Sequence, residues 1–84
     1  MCEVKERRIL KNIKNLKSAN LYKTYRKIYS ELESDPLVRT HHFELLENQT
    51  PKPSLYSKRI SQDNRIVYSV DRKNRQVIIY NAWC

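Results

Sequence analysis

The chain has 84 residues, 17 of them lysine or arginine and 9 acidic, for a formal net charge of +8. A chain of this length forms one domain with a modest core, so an open groove or face is its expected working surface. It contains no glycine, which excludes the glycine-rich phosphate loops of nucleotide-binding proteins.

The positive charge favours a polyanionic partner, which the charge alone leaves open between RNA, DNA, an acidic protein segment and a membrane surface. No apolar run approaches the roughly 20 residues that span a bilayer, and the first residues lack the apolar stretch of a secretory signal. We therefore expect a cytoplasmic protein without a membrane partner. His41 and His42 are the only histidines, and adjacent ligands without nearby cysteines predict no metal site and no cofactor.

The first half of the sequence predicts a short strand at residues 2–5 and then two helices. Apolar residues recur at helical spacing in residues 6–17 and again in residues 21–33. The predicted inward residues are Ile9, Leu10, Ile13 and Leu16, then Leu21, Tyr25, Ile28 and Leu32. Ser18 and Asn20 both suit the N-cap of the second helix, and Pro36 predicts its end near Ser34.

The second half predicts strands at residues 43–46, 56–60, 65–70 and 76–83, with a loop at 47–54. The connections at 61–64 and 71–75 are short, which indicates antiparallel neighbours. The expected fold is therefore α+β, a single domain over residues 1–84 with two helices on one face of a mainly antiparallel sheet of four or five strands.

Charged residues inside these predicted strands are the candidates for function. Arg65 is interpreted either as a solvated strand end or as a guanidinium that binds phosphate. Lys58 and Arg59 face opposite ways, and each either protects a sheet edge or holds phosphate together with Arg65. Glu44 is either a solvated carboxylate or a general base. Trp83 either completes the core or stacks on a nucleic-acid base.

Four segments of this half resemble the YoeB/Txe branch of the RelE/ParE toxin superfamily. They are Phe43-Glu-Leu-Leu46, Tyr56-Ser-Lys-Arg-Ile60, Asn64-Arg-Ile-Val-Tyr68 and Val77-Ile-Ile-Tyr-Asn-Ala-Trp-Cys84. The resemblance covers residues 43–84 well, and the helical hairpin before them agrees in layout. It implies a RelE-like fold and the toxin of a type II toxin–antitoxin system, a cytoplasmic endoribonuclease that cuts mRNA on the ribosome without a metal.

The resemblance also implies roles for individual residues. The general base of these toxins falls on Glu44, the transition-state arginine on Arg65, and the phosphate-holding basic pair on Lys58 and Arg59. The presumed general acid is a histidine in a terminal His-Tyr pair that this sequence lacks after Cys84, which predicts an attenuated or inactive nuclease. The implied partners are mRNA, an antitoxin with an acidic C-terminal segment and a second copy of the chain.

Two other functions remain open at this point. A ParE-type inhibitor of DNA gyrase needs no base and acid, and a basic RNA-binding module needs no catalytic residue. The combination of Glu44 with Lys58, Arg59 and Arg65 favours the nuclease, because a protein that only binds gyrase has no evident use for that set.

Overall fold

A computed structural model describes residues 2–47 and 54–83 of the chain. Within them, two helices pack on one face of a five-stranded sheet, which confirms the predicted α+β fold. In chain order the elements are β1 (Glu3–Glu6), α1 (Leu10–Ser18), α2 (Tyr22–Ser34), β2 (Glu44–Glu47), β3 (Leu55–Arg59), β4 (Arg65–Asp71) and β5 (Gln76–Asn81). Most of the predicted loop at 47–54 lies outside the described residues.

The first helix begins later than predicted, because Glu6 still belongs to β1 and Arg8 takes a left-handed φ of 55°. Ile9 and Leu16 are buried against the core. The inward position predicted for Leu10 is wrong, since this side chain is 82% exposed. Each helical residue turns about 100° from the last, so the residue after Ile9 points away from the buried stripe.

The second helix presents Tyr25, Ile28 and Leu32 to the core, all fully buried. It ends at Ser34 as predicted, two residues before Pro36. The predicted N-cap is wrong, because Leu21 occupies that position and no side chain caps the helix. Asn20 instead takes a left-handed φ of 64°, a conformation that asparagine tolerates better than most residues.

The strands are ordered β1-β5-β4-β3-β2 across the sheet. The short connections make β3, β4 and β5 antiparallel neighbours, as predicted, and β2 pairs antiparallel with β3. The first strand pairs parallel with the last, with Val4 beside Val77. The helical hairpin carries the chain away from β1, so the chain passes through the other three strands before it returns beside β1.

The two faces of the sheet differ in what covers them. On β4, Ile66, Tyr68 and Val70 are buried on the face that carries the helices. Residues of opposite phase, including Arg65 and Val67, lie on the other side, which we call the open face. Neither described helix covers the open face, on which Arg59 and Arg65 are exposed whereas Ser57 and Ser69 are buried.

A β-bulge changes the phase of β5 near its end. Val67 pairs with Asn81 whereas Tyr68 pairs with Ile79, so Tyr80 is the extra residue. Because Ile79 shares the buried face with Tyr68, Asn81 takes the open face with Val67. Asn81 is thereby brought beside the start of β4.

Candidate functional site

The two arginines of the β3–β4 hairpin stand directly opposite each other. Arg59 ends β3, Arg65 begins β4, and the sheet register pairs them. The turn between them is closed by bonds from the backbone N–H groups of Ile60 and Ser61 to the carbonyl of Asn64, at 2.9 and 3.2 Å. Both arginines are exposed on the open face. The hairpin thus places two exposed arginines side by side at the tip of the sheet.

An open cleft of about 450 Å³ lies at this tip. Its lining consists of Arg59, Gln62, Asp63, Asn64, Arg65, Val67 and Asn81. Neither guanidinium makes a hydrogen bond or ion pair within residues 2–47 and 54–83. Like charges directly opposite each other on a sheet are destabilising, whereas a phosphate between two arginines accepts several charge-assisted hydrogen bonds. The cleft therefore suits an anion.

Glu44 lies on the same open face. It pairs with Ser57 of β3, which pairs in turn with Val67 of β4. These three residues form a row across the sheet, and Arg59 and Arg65 form the next row. Diagonal neighbours of this kind have backbones about 7–8 Å apart, so the exposed Glu44 carboxylate and the Arg59 guanidinium can reach one phosphodiester. Glu44 does not line the cleft, but the register places it in the row next to Arg59 and Arg65.

Lys58 lies on the opposite face and is fully buried. Its ammonium donates to the carbonyls of Val38 and Thr40, at 2.6 and 3.2 Å, and to Thr40 Oγ1 at 2.9 Å. Burial lowers the pKa of this group, and the nearby carboxylates of Glu31 and Asp35 oppose that effect. Phosphate binding by Lys58 stays a prediction, while in this structure its three donors hold the chain between α2 and β2.

Trp83 lies two residues beyond Asn81, at the end of the sheet where β4 begins. Its side chain is half-buried and packs against the hydrophobic core. Base stacking by Trp83 stays a prediction, and its packing is the role that the structure shows.

Sequence reasoning did not identify the amide groups of the cleft, Gln62, Asn64 and Asn81. Asn64 and Gln62 lie in the predicted turn, where such residues are common for conformational reasons alone. Asn81 has the same phase as Val77 and Ile79 in the sequence and so belongs to the buried face in a regular strand. Only the bulge at Tyr80 brings it to the cleft, and the sequence carries no signal for that bulge.

No group of three or more histidine, cysteine, aspartate or glutamate side chains able to hold a metal occurs in residues 2–47 and 54–83. Over the same residues, neither helix is long and apolar enough to cross a membrane.

This fold also occurs in known proteins. No protein-family model matches the chain, and no curated protein matches it in sequence. Solved structures do match. A chain of the archaeal RelE–RelB complex from Pyrococcus horikoshii OT3 is 27% identical with a TM-score of 0.79, and the match covers 98% of this chain and 92% of that one.

Two structures from Staphylococcus aureus are also similar, each at 17% identity. The YoeB dimer gives a TM-score of 0.77 over 99% of this chain and 95% of that one. The YoeB–YefM complex gives 0.74 over 100% and 97%. The fold is therefore RelE-like, and the predicted resemblance to RelE and YoeB toxins is confirmed.

Proposed function

We propose that the protein is the toxin of a type II toxin–antitoxin pair and that it cleaves mRNA on the ribosome as a single domain. The observation that carries the proposal is that Arg59 and Arg65 face each other on the open face without a hydrogen-bond or ion-pair partner among the described residues, and that Glu44 lies in the adjacent row. An anion site next to an exposed carboxylate is what phosphodiester cleavage requires. The fold shared with RelE and YoeB toxins supports it.

The chemistry follows from these three side chains. The Glu44 carboxylate takes the proton of a ribose 2′-hydroxyl, and the 2′-oxygen attacks the adjacent phosphorus. The bond from phosphorus to the 5′-oxygen breaks, giving a 2′,3′-cyclic phosphate and a 5′-hydroxyl whose proton comes from water. Arg59 and Arg65 stabilise the additional negative charge that the phosphoryl oxygens carry in the transition state.

The second part of the proposal concerns the partner. The similar structures include RelE with RelB and YoeB with YefM, which supports an antitoxin for this chain. The net charge of +8 and the unpaired arginines favour an antitoxin segment rich in aspartate and glutamate. Such a segment laid over the cleft would neutralise both guanidinium groups and block RNA at the same time.

Cleavage of mRNA on translating ribosomes tests the catalytic assignment. Glu44→Gln removes the base and keeps the shape, so we expect cleavage about 10²- to 10⁴-fold slower. Arg65→Gln removes one stabilising charge and is expected to cost about 10²- to 10³-fold. Glu3→Gln, at an exposed carboxylate on the other edge of the sheet, is the matched control and should cleave normally.

The products and a counter-screen complete this test. Cleaved message should carry a cyclic phosphate and a 5′-hydroxyl at the new ends. Equal rates for the chain and for Glu44→Gln would refute the nuclease. Inhibition of gyrase supercoiling without any RNA cleavage would favour the ParE-type function instead.

A further inference from the structure

A second cleft adjoins the first. It measures about 400 Å³ and is lined by His41, His42, Arg59, Ile60, Ser61 and Gln62. Arg59 and Gln62 also line the first cleft, so the two clefts meet at the tip of the β3–β4 hairpin, with Arg59 at the junction. A polymer that places a phosphate on Arg59 therefore has a cleft on either side of that contact.

The outer wall of the second cleft is a turn with an unusual backbone. His41 and His42 both lie in the left-handed region, at φ values of 53° and 56°. Residues other than glycine occupy this region sparsely and keep it only where the surroundings impose it. One constraint is a backbone bond of 2.6 Å from the N–H of Arg59 to the carbonyl of His41. It fastens the turn to the strand that carries the arginine.

A partly buried polar network supplies the other constraint. The fully buried Lys58 donates to Thr40 Oγ1 at 2.9 Å. The same hydroxyl donates to Glu31 of α2, and the other carboxylate oxygen of Glu31 accepts from His41 Nε2 at 2.9 Å. Burial acts to raise the pKa of Glu31, but the bonds from Thr40 and His41 outweigh it and hold the pKa below its usual value. The turn is therefore held by hydrogen bonds to α2 on one side and to β3 on the other.

The ring of His42 remains available. His42 is exposed, whereas the ring of His41 is hydrogen-bonded to Glu31. No hydrogen bond or ion pair of the His42 side chain occurs among the described residues. An exposed imidazole beside an unpaired arginine is a combination that recognises single-stranded RNA, because the ring stacks on a base while the guanidinium holds a phosphate.

We propose that the second cleft is a subsite for the nucleotide one step beyond the two that flank the scissile phosphate, with His42 stacking on its base. Lys58, Thr40, Glu31 and His41 act as positioning residues that hold the turn in the shape this subsite needs. The inference rests on the proposed function and adds a named contact to it. It also gives Lys58 a role in RNA recognition that requires no contact between its ammonium and a phosphate.

Binding of two short RNAs tests the subsite. One is a dinucleotide whose 2′-hydroxyl is methylated to prevent cleavage, and the other is the same dinucleotide extended by one nucleotide on each side. His42→Asn removes the ring, while asparagine accepts the left-handed backbone. We expect this variant to lose about fivefold or more in affinity for the longer RNA, the range for one stacked base, and to bind the dinucleotide normally. Lys73→Ala, in the turn after β4, is the control. It should show the same difference in affinity between the two RNAs as the unaltered chain.

Lys58→Met tests the positioning role, since methionine fills a similar volume without a donor. It should lower affinity for the longer RNA only, with an unchanged circular dichroism spectrum. If this variant does not fold, the His42→Asn result decides. Undiminished affinity of His42→Asn for the longer RNA overturns the subsite. Arg65→Gln separates this outcome from failure of the proposed function, because unchanged binding of both RNAs in that variant removes the first cleft as a phosphate site.

Discussion

At the scale of single residues, Arg59 and Arg65 suit phosphate binding but lower the stability of the fold. Two like charges face each other across neighbouring strands, and no described residue neutralises them. Arg65→Gln should therefore raise the free energy of unfolding by about 0.2–1 kcal/mol at low salt, the usual size of a cross-strand pair. Urea unfolding measures this change, and added salt should reduce it because salt screens exposed charges.

The reciprocal variant controls for lost packing. Arg59→Gln should give a similar gain, and the double variant should gain less than the sum, because either change alone ends the repulsion. Purely additive changes, or a loss of stability in both single variants, would contradict the proposed repulsion. Each substitution should also reduce the dependence of RNA affinity on salt by about 0.7 in the logarithmic slope.

The same residues show what sequence could predict. Alternation along β4 places Arg65 opposite in phase to Ile66 and Tyr68, so the sequence predicts its position on the open face. Lys58 shares its phase with Tyr56 and Ile60, which indicates the buried side. The sequence could not predict its three oxygen partners, because Val38 and Thr40 lie in the segment between α2 and β2, whose position against β3 depends on tertiary contacts.

At the scale of elements, the sequence predicts helices and strands correctly where apolar residues recur with a clear period. Both helices and all five strands occur where the sequence predicts them, with shifts at their ends. The bulge at Tyr80 and the parallel pairing of β1 with β5 were not predicted. Both depend on register between distant strands, and a pattern within one strand does not determine its neighbours.

Two tyrosines between α2 and the sheet make stability depend on pH. Burial is the main cause that raises the pKa values of Tyr25 and Tyr68, aided for Tyr25 by its bond to Glu6. The folded state keeps both protons above pH 10, whereas the unfolded state releases them near its ordinary value of 10.0. Stability should therefore fall above pH 10, by about 1.4 kcal/mol per pH unit for each tyrosine.

Urea unfolding between about pH 8 and pH 11 measures this fall. Tyr25→Phe and Tyr68→Phe should each remove part of the slope. The lowered pKa of Lys58 acts in the opposite direction, since stability then rises with pH up to the ordinary value of 10.5. An undiminished slope above that value in both phenylalanine variants would refute the assignment.

At the scale of the whole molecule, the positive charge governs how a partner arrives. An acidic antitoxin segment should associate rapidly at low salt, because long-range attraction steers the encounter. Raising ionic strength from about 0.05 to 0.5 M shortens the screening length and should slow association at least tenfold. Stopped-flow mixing with an acidic peptide measures this rate. A peptide with amides in place of its carboxylates is the control, and equal salt dependence for both peptides would exclude steering.

The parallel pairing of β1 with β5 has a consequence for synthesis. Glu3 and Gln76 meet across that pair although 73 positions separate them in the chain. Contacts of such long range form late in folding, because their loop-closure entropy is lost before they contribute stability. A growing chain must extend past β5 before β1 has its neighbour and before Asn81 reaches the arginine cleft. The arginine hairpin, whose contacts are local, is therefore expected to form before the β1–β5 edge and before Asn81 completes the lining of the cleft.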